Sequence, residues 1–351
     1  MNKSDTDDYI RLKAFDNHKL VIKIKDDKAG LKGFIAIHND NLGSPAVGGT
    51  RMFPYASENE ALIDVLKLSR AMTYKCAIAK VPHGGAKGVI IGNPKKEKTE
   101  KLLKAYAKIV SSLNGAFCTG EDVGITQEDV NVMLQVSNYF IGKSEFAGDP
   151  SPYAALSTFY AMQSAVYYVD KKITLKDVSV AIKGVGKVGR ALVGLLYDVG
   201  ANIYVSDIDK KALSEIKIKF PKINIADNKK IHTLPVDVYS PCALGNEISM
   251  ENADTIQARI ICGAANNQLA DGKIGDWLFR HSIVYIPDYV ANSGGLIDVV
   301  DELAKDGYKK QRVLKKINNI KNTVKKILNL SIKENKSPHR VSDEIAESYF
   351  K

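Results

Sequence analysis

Two lysines and an aspartate stand out by their neighbours. Residues 71–92 read AMTYKCAIAKVPHGGAKGVIIG, so Lys75 and Lys87 both lie among uncharged or apolar residues. Lysine is ordinarily an exposed residue. Lys87, however, follows Gly84-Gly85, which permits close backbone approach, and precedes a run that reads as a buried strand. An ammonium stripped of water near a second cation gives up its proton more readily, which suits acid/base work at neutral pH. Further on, Gly120-Glu121-Asp122-Val123-Gly124 sets two carboxylates between glycines just ahead of a helix start. Thr126 already supplies that helix's cap, so Asp122 is left for chemistry.

A second group of residues points to a dinucleotide. Gly184-Val185-Gly186-Lys187-Val188-Gly189 matches GxGxxG, a pattern that is weak alone. Here it follows the apolar run 178–182 and opens a helix carrying Val188, Leu192 and Leu195. Gly184 makes the tight turn, Gly186 lets backbone approach a pyrophosphate, and Gly189 lets helix and strand pack closely. Lys187 and Val188 sit in the first helical turn, where unsatisfied N–H groups receive phosphates. The next strand ends at Asp207, which would accept ribose hydroxyls and repel a 2′-phosphate. That favours NAD over NADP, tempered by Lys210 and Lys211 nearby. A ligand-free glycine turn is the plainer reading; strand, glycines, helix and acid occurring together argue against it.

The elements that must position these residues fall in two stretches. The first mixes β-rich runs (20–24, 34–37, 88–91) with helical faces. Ser57 and Glu60 form a capping box before a helix containing Leu62, Val65, Leu66 and Met72. A second helix carries Leu102, Leu103, Tyr106, Ile109, Val110 and Leu113, and Thr126 opens a third. A polar break at 142–152 follows. Beyond it, strands at 178–182, 202–206, 236–239, 259–262 and 283–286 alternate with helices, which predicts a parallel, doubly wound sheet. The domains are read as 1–147 and 148–325, with a terminal helix 326–351 joining the first.

The 351 residues are 45% hydrophobic and 26% charged, which excludes disorder, collagen and coiled-coil rods and suggests two domains. The net charge of +10 could signal nucleic acid, but the lysines are dispersed. The densest run, 305–326, alternates them with Leu314, Ile317, Ile320 and Val324, the pattern of a solvated helix face. No nucleic-acid partner is expected. Cys76, Cys118, Cys242 and Cys262 show no CxxC spacing, so neither metal nor disulfide is expected and a cytoplasmic setting fits. The N-terminus lacks a signal-peptide core, and the uncharged run 151–169 has too many polar residues and no basic flank for a membrane span. His83 reads as structural.

Six motifs occur in order: Gly48-Gly49-Thr50-Arg51, Met72-Thr73-Tyr74-Lys75, Gly84-Gly85-Ala86-Lys87-Gly88, Glu121-Asp122-Val123-Gly124, 263–268 (GAANNQ) and 287–295 (PDYVANSGG). With the fingerprint, they resemble the leucine/phenylalanine/valine branch of the glutamate dehydrogenase superfamily across roughly residues 30–301. The resemblance implies an α/β protein of two domains. One is an N-terminal α/β domain for substrate binding and oligomerisation. The other is a Rossmann dinucleotide-binding domain, with the cleft between them as the site. It implies NAD-dependent, reversible oxidative deamination of an L-amino acid to its 2-oxo acid and ammonia, by a homo-oligomer. Lys75 would hold the α-carboxylate with backbone at Gly48 and Gly49. Lys87 would polarise the carbonyl and handle the water added to the imine. Asp122 would receive and return protons at the amine. Asn266 would fix substrate and nicotinamide, and Asn292 would contact the cofactor. Family members often carry GGGK where this chain has Gly84-Gly85-Ala86-Lys87, and some carry alanine at Gly189; neither departure removes a reacting group.

Glutamate enzymes carry a lysine at the place of Val47 and a serine near that of Val299. Without those partners, burying a second carboxylate would cost several kcal/mol. An apolar pocket of Val47, Gly120, Leu296 and Val299 is therefore expected. Glycine at 120 with leucine at 296 resembles the phenylalanine-type pairing, so the pocket leans aromatic, with Gly120 making room for a ring. A catalytically silent NAD-binding regulatory protein on the same fold is the competing reading.

Overall fold

The computed structural model describes residues 8–143 and 145–351. The N-terminal reading at residues 1–7, and Ser144 within the expected break, lie outside the described residues. Two units make up the chain. Unit 1 runs to Asp149 and takes back Val299–Tyr308 and Ala346–Lys351, while unit 2 holds Pro150–Asp298 and Lys309–Ile345.

Unit 1 contains β1 (Leu20–Asp26), β2 (Leu31–Asn39), β3 (Ala46–Val47), β4 (Thr50–Phe53), α1 (Glu58–Ile78), β5 (Gly85–Ile91), α2 (Glu100–Ser112), β6 (Phe117–Cys118) and α3 (Gln127–Leu134). The sheet order is β1-β2-β5-β3-β6, with β4 also paired to β5. β2 runs antiparallel to β1 and β5, and β3 and β4 run parallel to β5. Strand alternation sorts the residues of β5 onto two faces. Gly85, Lys87 and Val89 take the α1 side: a Cβ on Gly85 would lie 2.0 Å from the Thr73 nitrogen, and Val89 packs with Val65 and Leu66. Gly88 and Ile90 take the α2 side, where a Cβ on Gly88 would meet the Tyr106 hydroxyl at 2.0 Å.

The expected caps are present. Ser57 accepts the Glu60 N–H at 3.1 Å, and Glu60 reaches back to the Ala56 N–H at 2.8 Å. Thr126 and Asp129 form a full reciprocal box at α3.

Beside α1, His18 and His38 are buried with ring centroids 4.9 Å apart, and Phe350 packs against His38 at 6.0 Å. Desolvation, with His18 adjacent, pushes the His38 pKa down from 6.5 to about 4. Between those values the unfolded chain binds a proton that the folded chain refuses, so stability falls as pH drops from 6.5 towards 4. The full swing is on the order of 3 kcal/mol. Thermal unfolding across that window should show the decline, and His38→Gln should flatten it; an unchanged slope in the variant would exclude His38 as the cause.

Unit 2 opens with α4 (Ser151–Asp170), then β7 (Ser179–Lys183), α5 (Lys187–Asp198), β8 (Asn202–Ser206), α6 (Lys210–Lys219), β9 (Asn224–Ile225), β10 (Val238–Pro241), β11 (Ile260–Ile261), α7 (Lys273–Arg280) and β12 (Val284–Tyr285). The helices α8 (Asp288–Ala291), α9 (Gly294–Val300), α10 (Lys310–Asn318), α11 (Ile320–Glu334) and α12 (Pro338–Phe350) follow. All strand pairings are parallel in the order β12-β11-β10-β7-β8-β9. The order reverses at β7, the switch point at which this Rossmann arrangement places ligands beyond the strand ends. Among the described residues, no helix is long and apolar enough to cross a membrane.

Two segments depart from the expected organisation. The lysine-rich run is two helices meeting at Asn319, with Ile317, Ile320 and Val324 buried and Leu314 38% exposed. The segment 326–351 is not one helix. Asn335 takes a left-handed φ of 51° and Pro338 restarts the chain. Only Ala346–Lys351 groups with unit 1, where Tyr74 donates to Glu347 at 2.6 Å and Asn41 to the Phe350 carbonyl at 2.8 Å. Val299–Tyr308 also belongs to unit 1 rather than to the second domain. There Glu302 accepts the N–H groups of Gly142, Lys143 and Ala147.

Candidate active site

Lys87 and Arg51 lie on the same face of the sheet. In the β4–β5 register Arg51 is opposite Val89, two residues from Lys87 and of the same parity. Lys87 is only 6% exposed. Its Nζ lies 3.1 Å from Oδ2 of Asp122. The turn that carries Asp122 is tied to β4 at both ends: Thr50 N–H donates to Gly120 O and Met52 N–H to Val123 O, each at 2.9 Å. Gly124 closes the turn at φ 82°, and a Cβ there would lie 2.1 Å from Met52 O. A Cβ on Gly49 would lie 2.4 Å from Glu121 O and 3.0 Å from Asp122 Cβ. This is the close approach that the glycine pair permits.

Arg51 donates from Nε to Oδ2 of Asp122 at 3.0 Å and from Nη1 to Asp64 at 3.0 Å. The Tyr55 hydroxyl donates to the same Asp64 oxygen at 2.5 Å. Burial alone would raise the Asp122 pKa, but the charges of Lys87 and Arg51 outweigh it and hold the carboxyl below the usual carboxylate range. Arg51 has no role in the sequence reading, although it lies in a quoted motif. Its partners Asp64 and Asp122 sit on other elements and share no spacing signal with it.

Lys75 is half-buried on α1, two residues past Thr73. Val47 is fully buried on β3, and Val299 is half-buried with Gly142 beside it. Gly120 corrects the sequence reading of its role. A Cβ there would aim at the Ile141 carbonyl, 2.6 Å away, so this glycine allows two backbones to approach and does not clear space for a ring. His83 donates from Nδ1 to the Pro45 carbonyl at 3.0 Å, in keeping with a structural place.

In unit 2, Gly184 takes φ 101°, and a Cβ there would collide with Ala243 at 2.8 Å. A Cβ on Gly189 would lie 2.0 Å from Gly184 O, whereas one on Gly186 would meet nothing within 4 Å. Gly186 is the N-cap of α5 and makes no side-chain cap. Asp207, at the end of β8, accepts the Val185 N–H at 2.7 Å and the Asp209 N–H at 2.9 Å. Asn292 is 4% exposed and donates to Asn266 Oδ1 at 2.7 Å and Ala264 O at 3.1 Å. It therefore holds exposed Asn266 in place through its amide nitrogen. Leu296 is buried on α9.

Fold and charged cluster together define a two-unit enzyme of the dehydrogenase kind. Residues 17–145 match the model described as Glu/Leu/Phe/Val dehydrogenase, dimerisation domain, and residues 151–348 that described as Glutamate/Leucine/Phenylalanine/Valine dehydrogenase. A phenylalanine dehydrogenase of Thermoactinomyces intermedius is 41% identical over 338 residues, covering 95% of this chain and 92% of its own. A leucine dehydrogenase of Bacillus subtilis (strain 168) is 38% identical over 339 residues, covering 96% and 92%. The crystal structure of L-tryptophan dehydrogenase from Nostoc punctiforme has a TM-score of 0.82 at 38% identity and covers 95% of each chain. This chain belongs to the Glu/Leu/Phe/Val dehydrogenase family and is an oxidoreductase of that kind.

Proposed function

We propose that the protein catalyses the NAD-dependent, reversible oxidative deamination of an apolar L-amino acid to its 2-oxo acid and ammonia. The observation that carries this is the ion pair of buried Lys87 with Asp122 at 3.1 Å, set in a chain whose relatives are phenylalanine, leucine and tryptophan dehydrogenases.

The residues of unit 2 fit a dinucleotide. Gly186 leaves an open cradle at an uncapped helix N-terminus, and Asp207 stands at the end of the neighbouring strand to accept ribose hydroxyls. Bound there, the nicotinamide would take a hydride from the substrate Cα. Lys75 holds the α-carboxylate, with Gly48 and Gly49 offering backbone. Lys87 polarises the oxygen at the reacting carbon and directs the water that adds to the imine. Asp122 exchanges protons at the amine. Asn266, oriented by Asn292, fixes the substrate. Val47, Val299 and Leu296, the apolar residues assigned to the substrate side chain, offer no partner for a second carboxylate. The aromatic lean now rests on Leu296 alone. The match to a dimerisation domain supports a homo-oligomer, and four free thiols suit the cytoplasm.

The test is kcat/KM for L-phenylalanine, L-leucine, L-valine and L-glutamate with NAD and NADP in parallel. Apolar substrates should overlap, since a methylene is worth about 1–3 kcal/mol. Glutamate should fall about a hundredfold or more below them, because its second carboxylate finds no partner. NAD should be preferred. A glutamate or NADP preference would overturn the corresponding assignment, and a leucine or valine preference above about tenfold would remove the aromatic lean. A silent NAD-binding regulator would show no absorbance change at 340 nm with any of them.

A further inference from the structure

We infer that Arg51 is a positioning residue that clamps one oxygen of Asp122, so that the other carboxylate oxygen is presented to the substrate amine. This rests on the function proposed above.

Lys87 and Arg51 both address Oδ2, at 3.1 and 3.0 Å. No described residue donates a hydrogen bond to Oδ1. Arg51 itself is held from behind. Its guanidinium spans Asp122 and Asp64, and Tyr55 pins the Asp64 oxygen that Arg51 uses. The chain Tyr55–Asp64–Arg51–Asp122–Lys87 therefore joins the segment after β4, α1, β4, the 120–125 turn and β5. A lysine could not replace this fork, because a single ammonium is a point donor while guanidinium holds two carboxylates in fixed directions. Other charged groups near the turn are exposed Glu121, next to Asp122, and the Lys98–Asp129 pair at the Gly124 end, where Lys98 donates to Gly124 O. Neither pair member contacts Asp122, so the carboxylate's ionisation is set by Lys87 and Arg51.

The experiment compares Arg51→Lys, Asp64→Asn and the double variant. Arg51→Lys keeps the charge but loses the fork, and is expected to lower kcat about tenfold to a hundredfold with KM and dinucleotide affinity within about twofold. Asp64→Asn should give a smaller loss of the same kind, and the double variant should be no worse than Arg51→Lys, as for two members of one relay. A second readout does not depend on turnover. In Arg51→Gln, the Asp122 carboxyl, followed by 13C NMR, should titrate about one pH unit or more higher than in the parent. Undiminished kcat in Arg51→Lys, additive losses in the double variant, or an unmoved Asp122 titration would each overturn the inference. If the parent oxidises no amino acid, the functional reading fails, and the 13C titration still decides the role of Arg51.

Discussion

Lys87→Ala is expected to abolish amino acid oxidation, lowering kcat about a thousandfold or more, while leaving dinucleotide binding unchanged. The size follows from the two duties proposed for this side chain, polarising the reacting carbon's oxygen and directing water. The selectivity follows from its place on β5 of unit 1, whereas the Gly184–Asp207 constellation belongs to unit 2. The substitution also avoids a common ambiguity. Removing Asp122 would leave the Lys87 ammonium buried without its carboxylate, a loss of about 3–5 kcal/mol that could unfold the protein. Removing Lys87 leaves Asp122 still bonded to Arg51. Steady-state NADH absorbance and a fluorescence titration with NADH provide the measurements. Retention of a tenth of the parent's kcat would defeat the proposed role.

Gly49→Ala is expected to cost about a hundredfold in kcat without any change of a reacting group. Its methyl would have to occupy space 2.4 Å from the Glu121 carbonyl and 3.0 Å from Asp122 Cβ. The neighbour is backbone, and that backbone is fastened to β4 by the bonds from Thr50 and Met52. The strain therefore moves the Asp122 turn as a whole and takes its carboxylate out of line with Lys87. Overpacking of this kind also destabilises by about 1–3 kcal/mol. Thermal unfolding and kcat measured on the same preparation check both effects. A variant with normal kcat would show that the turn tolerates displacement.

The sequence made much of this site legible. Lys87 and Asp122 were singled out by unusual surroundings, and the structure brings them together. The fingerprint was readable because its glycines, strand and helix are adjacent in the chain. Local signals such as the capping box at Ser57 and the cap at Thr126 were readable for the same reason. The strands β3, β4, β6 and β9 were not, since their two to four residues lie in no longer apolar run of the kind that marks 259–262 and 283–286. The Arg51 fork was hidden because its two carboxylates approach from α1 and from a distant turn. Gly120 was misread because a missing side chain looks the same in sequence whether it opens a pocket or admits a carbonyl. The return of residues 299–308 depends on Glu302 serving three amides far upstream, a pairing without local trace.

That threading bears on how the protein can be dissected or rebuilt. Severing the chain at Asp149 would not liberate a self-sufficient N-terminal half, because such a fragment lacks the carboxylate that collects the amides of Gly142, Lys143 and Ala147. It also lacks the aromatic lid over the histidine pair. Chimaeras that borrow a relative's cofactor half therefore need a graft in two pieces, 150–298 and 309–345, with the host's own 299–308 and 346–351 left in place.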